Sequence, residues 1–249
     1  MSRGAFNDLT DVFESIIDWP KRLAHEAPFY RRHFERVGAK RVIDVACGTG
    51  HHASMFHSWG LQVEGADLSP NMIAQARAGF GEPPGLSWTV RGYDQAIDSG
   101  SSFDAAVCVG NSLALAPDMA TVHEAIRQML AGVRRGGVVV VHVLNVWAMP
   151  DGPCVWQKSV RTTLPEGSAL IVKGVHRCRD RAYIELLVSL LEGDTKIRST
   201  CVPLLGLEVA NMERLMREYG AARTSVFGGY QDQPYDRQKS VDLVLVAGK

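Results

Sequence analysis

The residues whose types and spacing point most directly to chemistry are Asp44-Val45-Ala46-Cys47-Gly48-Thr49-Gly50 and, further along, Asp67. Two glycines separated by one residue let the backbone turn tightly and approach a ligand closely, because neither carries a Cβ. A carboxylate about twenty residues after such a turn is placed to accept the hydroxyls of a ribose. Dinucleotide binding is the competing reading, but its fingerprint needs a third glycine, G-x-G-x-x-G. Here Gly50 is followed by His51-His52-Ala53, so the seat for a pyrophosphate is poor. No G-x-x-x-x-G-K-[ST] run occurs either, which removes the P-loop nucleotides. The ligand that fits is a nucleoside without a phosphate. Met72 follows shortly after Asp67, where a polarizable side chain suits an adenine face or the core equally.

The elements that must position these residues alternate in type. Residues 41–46 are a short apolar run of the kind found in buried parallel strands. A helix over 52–59 ends at Gly60. Residues 61–66 form a second strand, which leaves Asp67 at its end. Ser69 and Pro70 start the next helix, which stops at Gly79. Residues 86–90 and 103–110 are the third and fourth strands. Asp118 caps a helix with Val122, Ala125, Ile126, Met129, Leu130 and Val133 on one stripe, and Arg134 and Arg135 at its C-terminal end. Gly136-Gly137 turns into a fifth strand, 138–143. Such alternation implies right-handed crossovers and a parallel sheet that binds ligands at its strands' carboxyl ends.

The two ends of this core differ from it. The first forty residues read as amphipathic helices, the second running over 28–37 from Pro28 to a stop at Gly38. Strands at 155–164, 170–177, 182–191 and 197–202 have only Pro-Glu-Gly, Arg-Asp and Gly-Asp turns between them, so they predict an antiparallel flap. A helix over 208–219 and strands at 222–227 and 241–247 resume the alternation. The chain thus reads as one domain: N-terminal helices (1–40), a core (41–150), an inserted flap (151–205) and a C-terminal helix with a hairpin (206–249).

Lys plus Arg and Asp plus Glu both number 27, and a chain without basic excess is not expected to bind nucleic acid. No basic start leads into an apolar run, and no apolar stretch is long enough for a bilayer, so a cytoplasmic chain with no membrane partner is expected. Cys47, Cys108, Cys154, Cys178 and Cys201 contain no Cys-x-x-Cys pair, so neither a disulfide framework nor a metal site is expected.

The segments RVIDVACGTG (41–50), GADLSPNM (65–72), FDAAVCVGNSLALAPD (103–118) and RRGGVVVVHVLN (134–145) resemble class I S-adenosylmethionine (SAM)-dependent methyltransferases in order and spacing. The likeness is nearest to the glycine N-methyltransferase-like group. It implies a Rossmann-like, seven-stranded, mostly parallel sheet with an antiparallel last strand at 241–247. It implies SAM as cofactor, with S-adenosylhomocysteine (SAH) as product. It further implies that Asp44, Ala46, Cys47, Gly48 and Gly50 line the methionine and ribose, and that Asp67 holds the ribose, with Leu68 and Met72 beside it. Gly110 and Asn111 border the methionine and the acceptor, and Arg22 meets the SAM carboxylate. Tyr93, followed by Asp94, stands where such enzymes place an acid or amide beside the adenine. Leu144 stands where glycine methyltransferases carry an arginine just before Asn145, so free glycine is not the acceptor implied. The Asn/Asp-Pro-Pro-Tyr motif of adenine and amide methyltransferases is absent.

Methyl transfer mainly requires alignment and the exclusion of water. An amine acceptor must be neutral to attack, whereas a hydroxyl wants a general base. Asn111, His142 and Asn145 are the catalytic candidates, with His51 and His52 as further bases near strand ends. Trp147, Trp156 and Tyr230 read as pocket walls or as core. Lys158, Arg161, Lys173, His176, Arg177, Arg179 and Arg181 make the flap either a lid for an anionic acceptor or a solvated basic face. The expected activity is methylation of a small molecule, on nitrogen before oxygen, by an enzyme that is a monomer or an oligomer. A SAM-binding regulatory or assembly protein is the alternative, and a nucleotide-dependent oxidoreductase is disfavoured by the missing glycine.

Overall fold

A computed structural model describes residues 10–97, 102–192 and 196–249. The short apolar runs become buried strands: β1 (Arg41–Val45), β2 (Gln62–Asp67), β3 (Leu86–Val90), β4 (Phe103–Cys108) and β5 (Val133–Leu144). With β10 (Arg223–Phe227) and β11 (Asp242–Gly248) they form a seven-stranded sheet in the order β10-β11-β5-β4-β1-β2-β3. β11 runs antiparallel to both neighbours while the other pairings are parallel, as the resemblance implied. Strand order reverses between β1 and β4, which opens the crevice where such sheets bind ligands. Helices α3 (His51–Ser58), α4 (Pro70–Phe80), α5 (Met119–Gly132) and α6 (Val209–Glu218) are the crossovers and the C-terminal helix. Two apolar clusters result from the pleat: Ala105, Val107, Val138 and Val140 enter one, and Ala106, Cys108, Val139 and Val141 the other.

The N-terminal region departs from the expected boundaries. α1 (Thr10–Ile16) precedes a single 18-residue helix, α2 (Trp19–Arg36), which runs straight through Pro28. The helix does not begin at Pro28 because Asp18 caps it earlier, accepting from Lys21 N at 3.2 Å, with Pro20 in the first turn. An internal proline costs about 3 kcal/mol. Burying Phe29, Tyr30 and Phe34 on one face returns roughly 1.5–3 kcal/mol each, which outweighs it. Arg134 and Arg135 also move: they lie in β5 rather than at the end of α5, because pairing begins with buried Val133 opposite Phe103. Arg134 Nε donates to Asp104 at 2.5 Å.

The flap is a four-stranded antiparallel sheet of β6 (Val155–Leu164), β7 (Gly167–Cys178), β8 (Arg181–Leu190) and β9 (Ile197–Leu205) in sequence order. Alternation sets its faces. Ala182, Ile184, Leu186 and Val188 are buried against the core, and Tyr183, Glu185 and Leu187 point the other way. The expected Gly-Asp turn at 193–194 lies outside the described residues.

Gly48 and Gly50 both have left-handed φ, +56° and +88°, but for different reasons. A Cβ on Gly50 would lie 2.5 Å from the Trp88 ring, whereas one on Gly48 would meet nothing within 4 Å. Gly50→Ala is therefore expected to lower the unfolding free energy by about 3 kcal/mol, combining strain and overpacking. Gly48→Ala should lose only about 1 kcal/mol. Urea unfolding of both variants checks this, and equal losses would refute the distinction.

Candidate active site

The carboxyl ends of β1, β2 and β4 bring three segments together. After β1 the chain turns through Ala46 (φ +62°), Gly48 and Gly50 into α3. Cys47 N donates to Ala66 O at 2.9 Å, which pins this loop to β2. Asp67 ends β2 and accepts from Gly48 N and Ser69 N, both at 2.9 Å, one on each carboxylate oxygen. A carboxylate has about four acceptor sites, so each oxygen keeps capacity for a hydroxyl. Burial raises the Asp67 pKa, and the amides of Ser69, Gly48 and Leu68 offset this only in part.

Asp44 lies under the same loop, 1% exposed, and neither of its oxygens has a hydrogen bond of ordinary geometry, the nearest donor being the Ala53 amide in α3, which lowers its pKa only in part. Burial, reinforced by the charge of Asp67, pushes its pKa up to about 8. A buried carboxylate without a partner is costly. This orphan, and the open space over Gly48, are features that a cationic nucleoside would satisfy.

β4 is followed by Gly110 (φ +72°) and Asn111 (φ +74°). Gly110 N donates to His142 Nδ1 at 3.1 Å, Asn111 N to His142 O at 3.3 Å, and Leu144 N to Asn111 Oδ1 at 2.5 Å. β5 thus holds the β4 loop rigidly. Arg22, from the first turns of α2, reaches the same corner: its terminal nitrogen lies 3.5 Å from where a Gly110 Cβ would stand. Its Nε donates to Glu26 Oε1 at 2.8 Å.

Two catalytic candidates have structural roles here. His142 accepts from Gly110 N on Nδ1 and faces Asp242 Oδ1 at 3.1 Å with Nε2, so its lone pair is committed and it is not free to act as a base. Asn145 is 2% exposed and fully satisfied. Its amide donates to Arg237 O (3.0 Å) and Ser240 O (2.8 Å), and its oxygen accepts from Tyr235 OH at 2.9 Å. It clamps the 228–240 loop. Asn111 is the candidate at the site, with no partner for its Nδ2 among the described residues. Cys47 contributes backbone only: its thiol packs toward β2, and burial raises its pKa well above the ordinary value. Leu68 is 47% exposed beside Gly92. Met72 accepts from Thr10 Oγ1 at 3.7 Å, which joins α4 to α1. Tyr93 packs against the core, with its hydroxyl pKa raised by burial, while Asp94 is exposed.

Sequence reasoning missed two glutamates. Glu14 on α1 accepts from Thr49 Oγ1 (2.5 Å) and Trp19 Nε1 (2.9 Å) and faces His51 Nε2 at 3.1 Å, latching α1 onto the glycine loop. Burial would raise its pKa, but the hydrogen bonds from His51 and Thr49 bring it down. Glu26 is 4% exposed and takes hydrogen bonds from Arg22, from His52 Nε2 at 2.8 Å and from Tyr30 OH at 3.4 Å. Tyr30 in turn meets Tyr230 at 3.1 Å, so Tyr230 is core. Burial alone would raise the Glu26 pKa. The His52 hydrogen bond and the charges of His52 and Arg22 outweigh it and hold the group at about 2. Glu26 had a signal, since it shares the apolar stripe of Phe29 and Tyr30. Glu14 had none.

The basic residues of the flap separate by role. Arg177 donates to Met149 O and Arg179 O, His176 stacks on Tyr183 on the outer face, and Arg161, Arg179 and Arg181 are exposed. Lys158 Nζ donates to Ile16 O, at the end of α1, at 2.6 Å. Lys173 is half-buried with no acceptor among the described residues, whereas His176 Nδ1, also without a hydrogen bond, lies 3.8 Å from Glu185 on the outer face.

No group of His, Cys, Asp or Glu among the described residues could hold a metal ion, and none of their helices is long and apolar enough to cross a membrane.

Residues 42–137 match a methyltransferase-domain family model. Over 226 residues the chain is 27% identical to the glycine/sarcosine N-methyltransferase of Parasynechococcus marenigrum, covering 90% of this chain and 78% of the relative. It spans about half the length of the mammalian glycine N-methyltransferases it matches. In fold it is similar to the CcbJ methyltransferase from Streptomyces caelestis, with a TM-score of 0.77 and 17% identity over 96% of this chain and 95% of that one. The sugar N-methyltransferase KedS8 from Streptoalloteichus sp. gives a TM-score of 0.70 and 26% identity over 91% and 88%. A reversal of strand order, a glycine loop answered by Asp67 and these relatives point the same way: residues 42–137 are a methyltransferase domain, and the chain is a SAM-dependent methyltransferase similar to the class I enzymes.

Proposed function

We propose that this enzyme methylates an amine of a small molecule. When bound, SAM supplies a methyl on sulfonium sulfur that is already activated toward a nucleophile. The chain's own residues then bind, orient and exclude water. Asp67 takes the ribose hydroxyls, Arg22 the carboxylate of the methionine part, and Asp44 compensates positive charge over the loop. Asn111 and the flap border the acceptor.

The preference for nitrogen is carried by the state of the histidines. His142, the histidine at the Gly110 corner, has both ring nitrogens engaged, by Gly110 N and Asp242, so it has no lone pair left to take a hydroxyl proton; His52 is buried against Glu26, and His51 turns its Nε2 to Glu14. An amine needs no such base once it is neutral. The charges of Lys158 and Arg22 already lower the pKa of Lys173, and an acceptor amine bound near Arg22 is disfavoured as an ammonium in the same way. The relatives named as glycine/sarcosine and sugar N-methyltransferases agree with this reading. Leu144 provides no charge at the end of β5, which favours an acceptor other than free glycine.

The test is methyl transfer from labelled SAM to small amines and to matched alcohols. Amines should be labelled, and labelling of alcohols alone would overturn the preference. Asp67→Ala should lower SAM affinity by about 100-fold in calorimetry, the loss of two charge-assisted hydrogen bonds. Unchanged affinity would remove the ribose role.

A further inference from the structure

In β7, Ala169, Ile171 and Val175 are buried against the core and set the inner face, while Gly174 on the other face is covered by Cys154 and Trp156. Lys173 has the same parity, so its side chain leaves the strand on the inner face of the flap. Its cross-strand neighbours are Leu186, which is fully buried, and Lys158. Two lysines directly opposite one another on one face repel. Lys158 is relieved by Ile16 O. Lys173 is not relieved, and burial together with the charges of Lys158 and Arg22 lowers its pKa. Arg22 stands at the Gly110 corner of the cofactor crevice, and α1, which Lys158 touches, is latched to the glycine loop by Glu14. The unrelieved ammonium is thus on the inner face of the flap, directly across from the lysine that holds the end of α1, the helix latched to the glycine loop.

We infer that Lys173, supported by Lys158, holds an anionic group of the acceptor, a carboxylate or a phosphate, while the acceptor's amine faces the methyl donor. An anion there relieves the cross-strand repulsion and the unpaired buried charge together. The inference rests on the proposed SAM-dependent transfer and adds a charge to the class of acceptor. Only Lys173, of the flap's basic residues, is both inward and without a partner, so the rest of the basic face is not required.

The experiment titrates the SAH-loaded full chain with sodium acetate, inorganic phosphate and neutral acetamide at constant ionic strength, followed by NMR. The anions should bind saturably and acetamide should not, and the tighter anion identifies the acceptor's group. Lys173→Met should weaken anion binding about tenfold or more and leave SAH affinity unchanged, and Lys173→Arg should restore much of it. Equal anion affinity in Lys173→Met, or no saturable anion binding by the SAH-loaded wild type, overturns the inference while the cofactor reading stands. Failure of the wild type to bind SAH overturns both.

Discussion

Replacing Glu26 by alanine is expected to lower the unfolding free energy by about 3–5 kcal/mol, because it strands buried partners around an uncompensated charge. Arg22 loses its orienting acceptor at 2.8 Å, and His52 and Tyr30 lose theirs. SAM affinity should fall with it, since Arg22 would no longer be held at Gly110. The pH dependence has a defined sign. The folded-state pKa of Glu26 is depressed from 4.5 to about 2. Its contribution is therefore complete above pH 4.5 and is lost as pH falls toward 2, at up to about 1.4 kcal/mol per pH unit. Urea unfolding of wild type and variant from pH 7 to 2 measures this as a difference curve that closes at the acid end. A loss below about 1 kcal/mol at pH 7 would show that the cluster is not a buried charge network.

Asp44 should behave in the opposite direction. Its carboxyl is raised from 3.8 to about 8 in the folded chain, so the folded state binds the extra proton between these values. Stability of the cofactor-free protein then falls as pH rises from about 4 to about 8, by up to about 1.4 kcal/mol per unit, and is level above. Asp44→Asn cannot ionise and should remove that slope. It should be the more stable protein at pH 8, by several kcal/mol, and equal to wild type near pH 4. The same change should weaken SAM binding, because the orphan carboxylate is then no longer available to a cation. In the wild type, SAM binding near pH 7 should release part of a proton, visible as a dependence of calorimetric heat on the buffer's ionisation enthalpy. Asp44→Asn curves parallel to wild type across this range would show that Asp44 is compensated in the native chain.

The sheet was legible because strand periodicity and turn chemistry are local. The apolar runs at β1, β4 and β5 and the caps Ser69 and Asp118 act within a few residues of themselves. The flap was legible for the same reason: turn signals separate its four strands, and the observed bounds of β6 and β8 lie within a residue of the expected ones. Local signals failed where two of them competed. Pro28 reads as a helix start, but Asp18 and the apolar face of α2 decide the boundary. Arg134 reads as a helix-end charge, but pairing of Val133 with Phe103 draws it into β5.

The candidate site divides along the same line. By itself the sequence determined the loop from Asp44 to Gly50, the carboxylate Asp67 and the turn at Gly110-Asn111, because each is a strand end and strand ends in a parallel sheet share one edge. Only the tertiary structure decided what the polar side chains around that edge do. His142 and Asn145 read as catalytic candidates at the end of the fifth strand, yet partners from β11, from the β4 loop and from the 228–240 loop hold them as struts. Glu14 looks like a solvated helix charge and Glu26 shows only its place on an apolar stripe, yet packing of α1 and α2 on the glycine loop and α3 makes both of them clamps. Gly50 sits in the binding loop, yet Trp88 of β3 is what forbids a side chain there. The physical reason is one of range: periodicity, capping and turns are set by neighbours in sequence. A buried polar group's role is set by whichever donors and acceptors the fold brings to it, from anywhere in the chain.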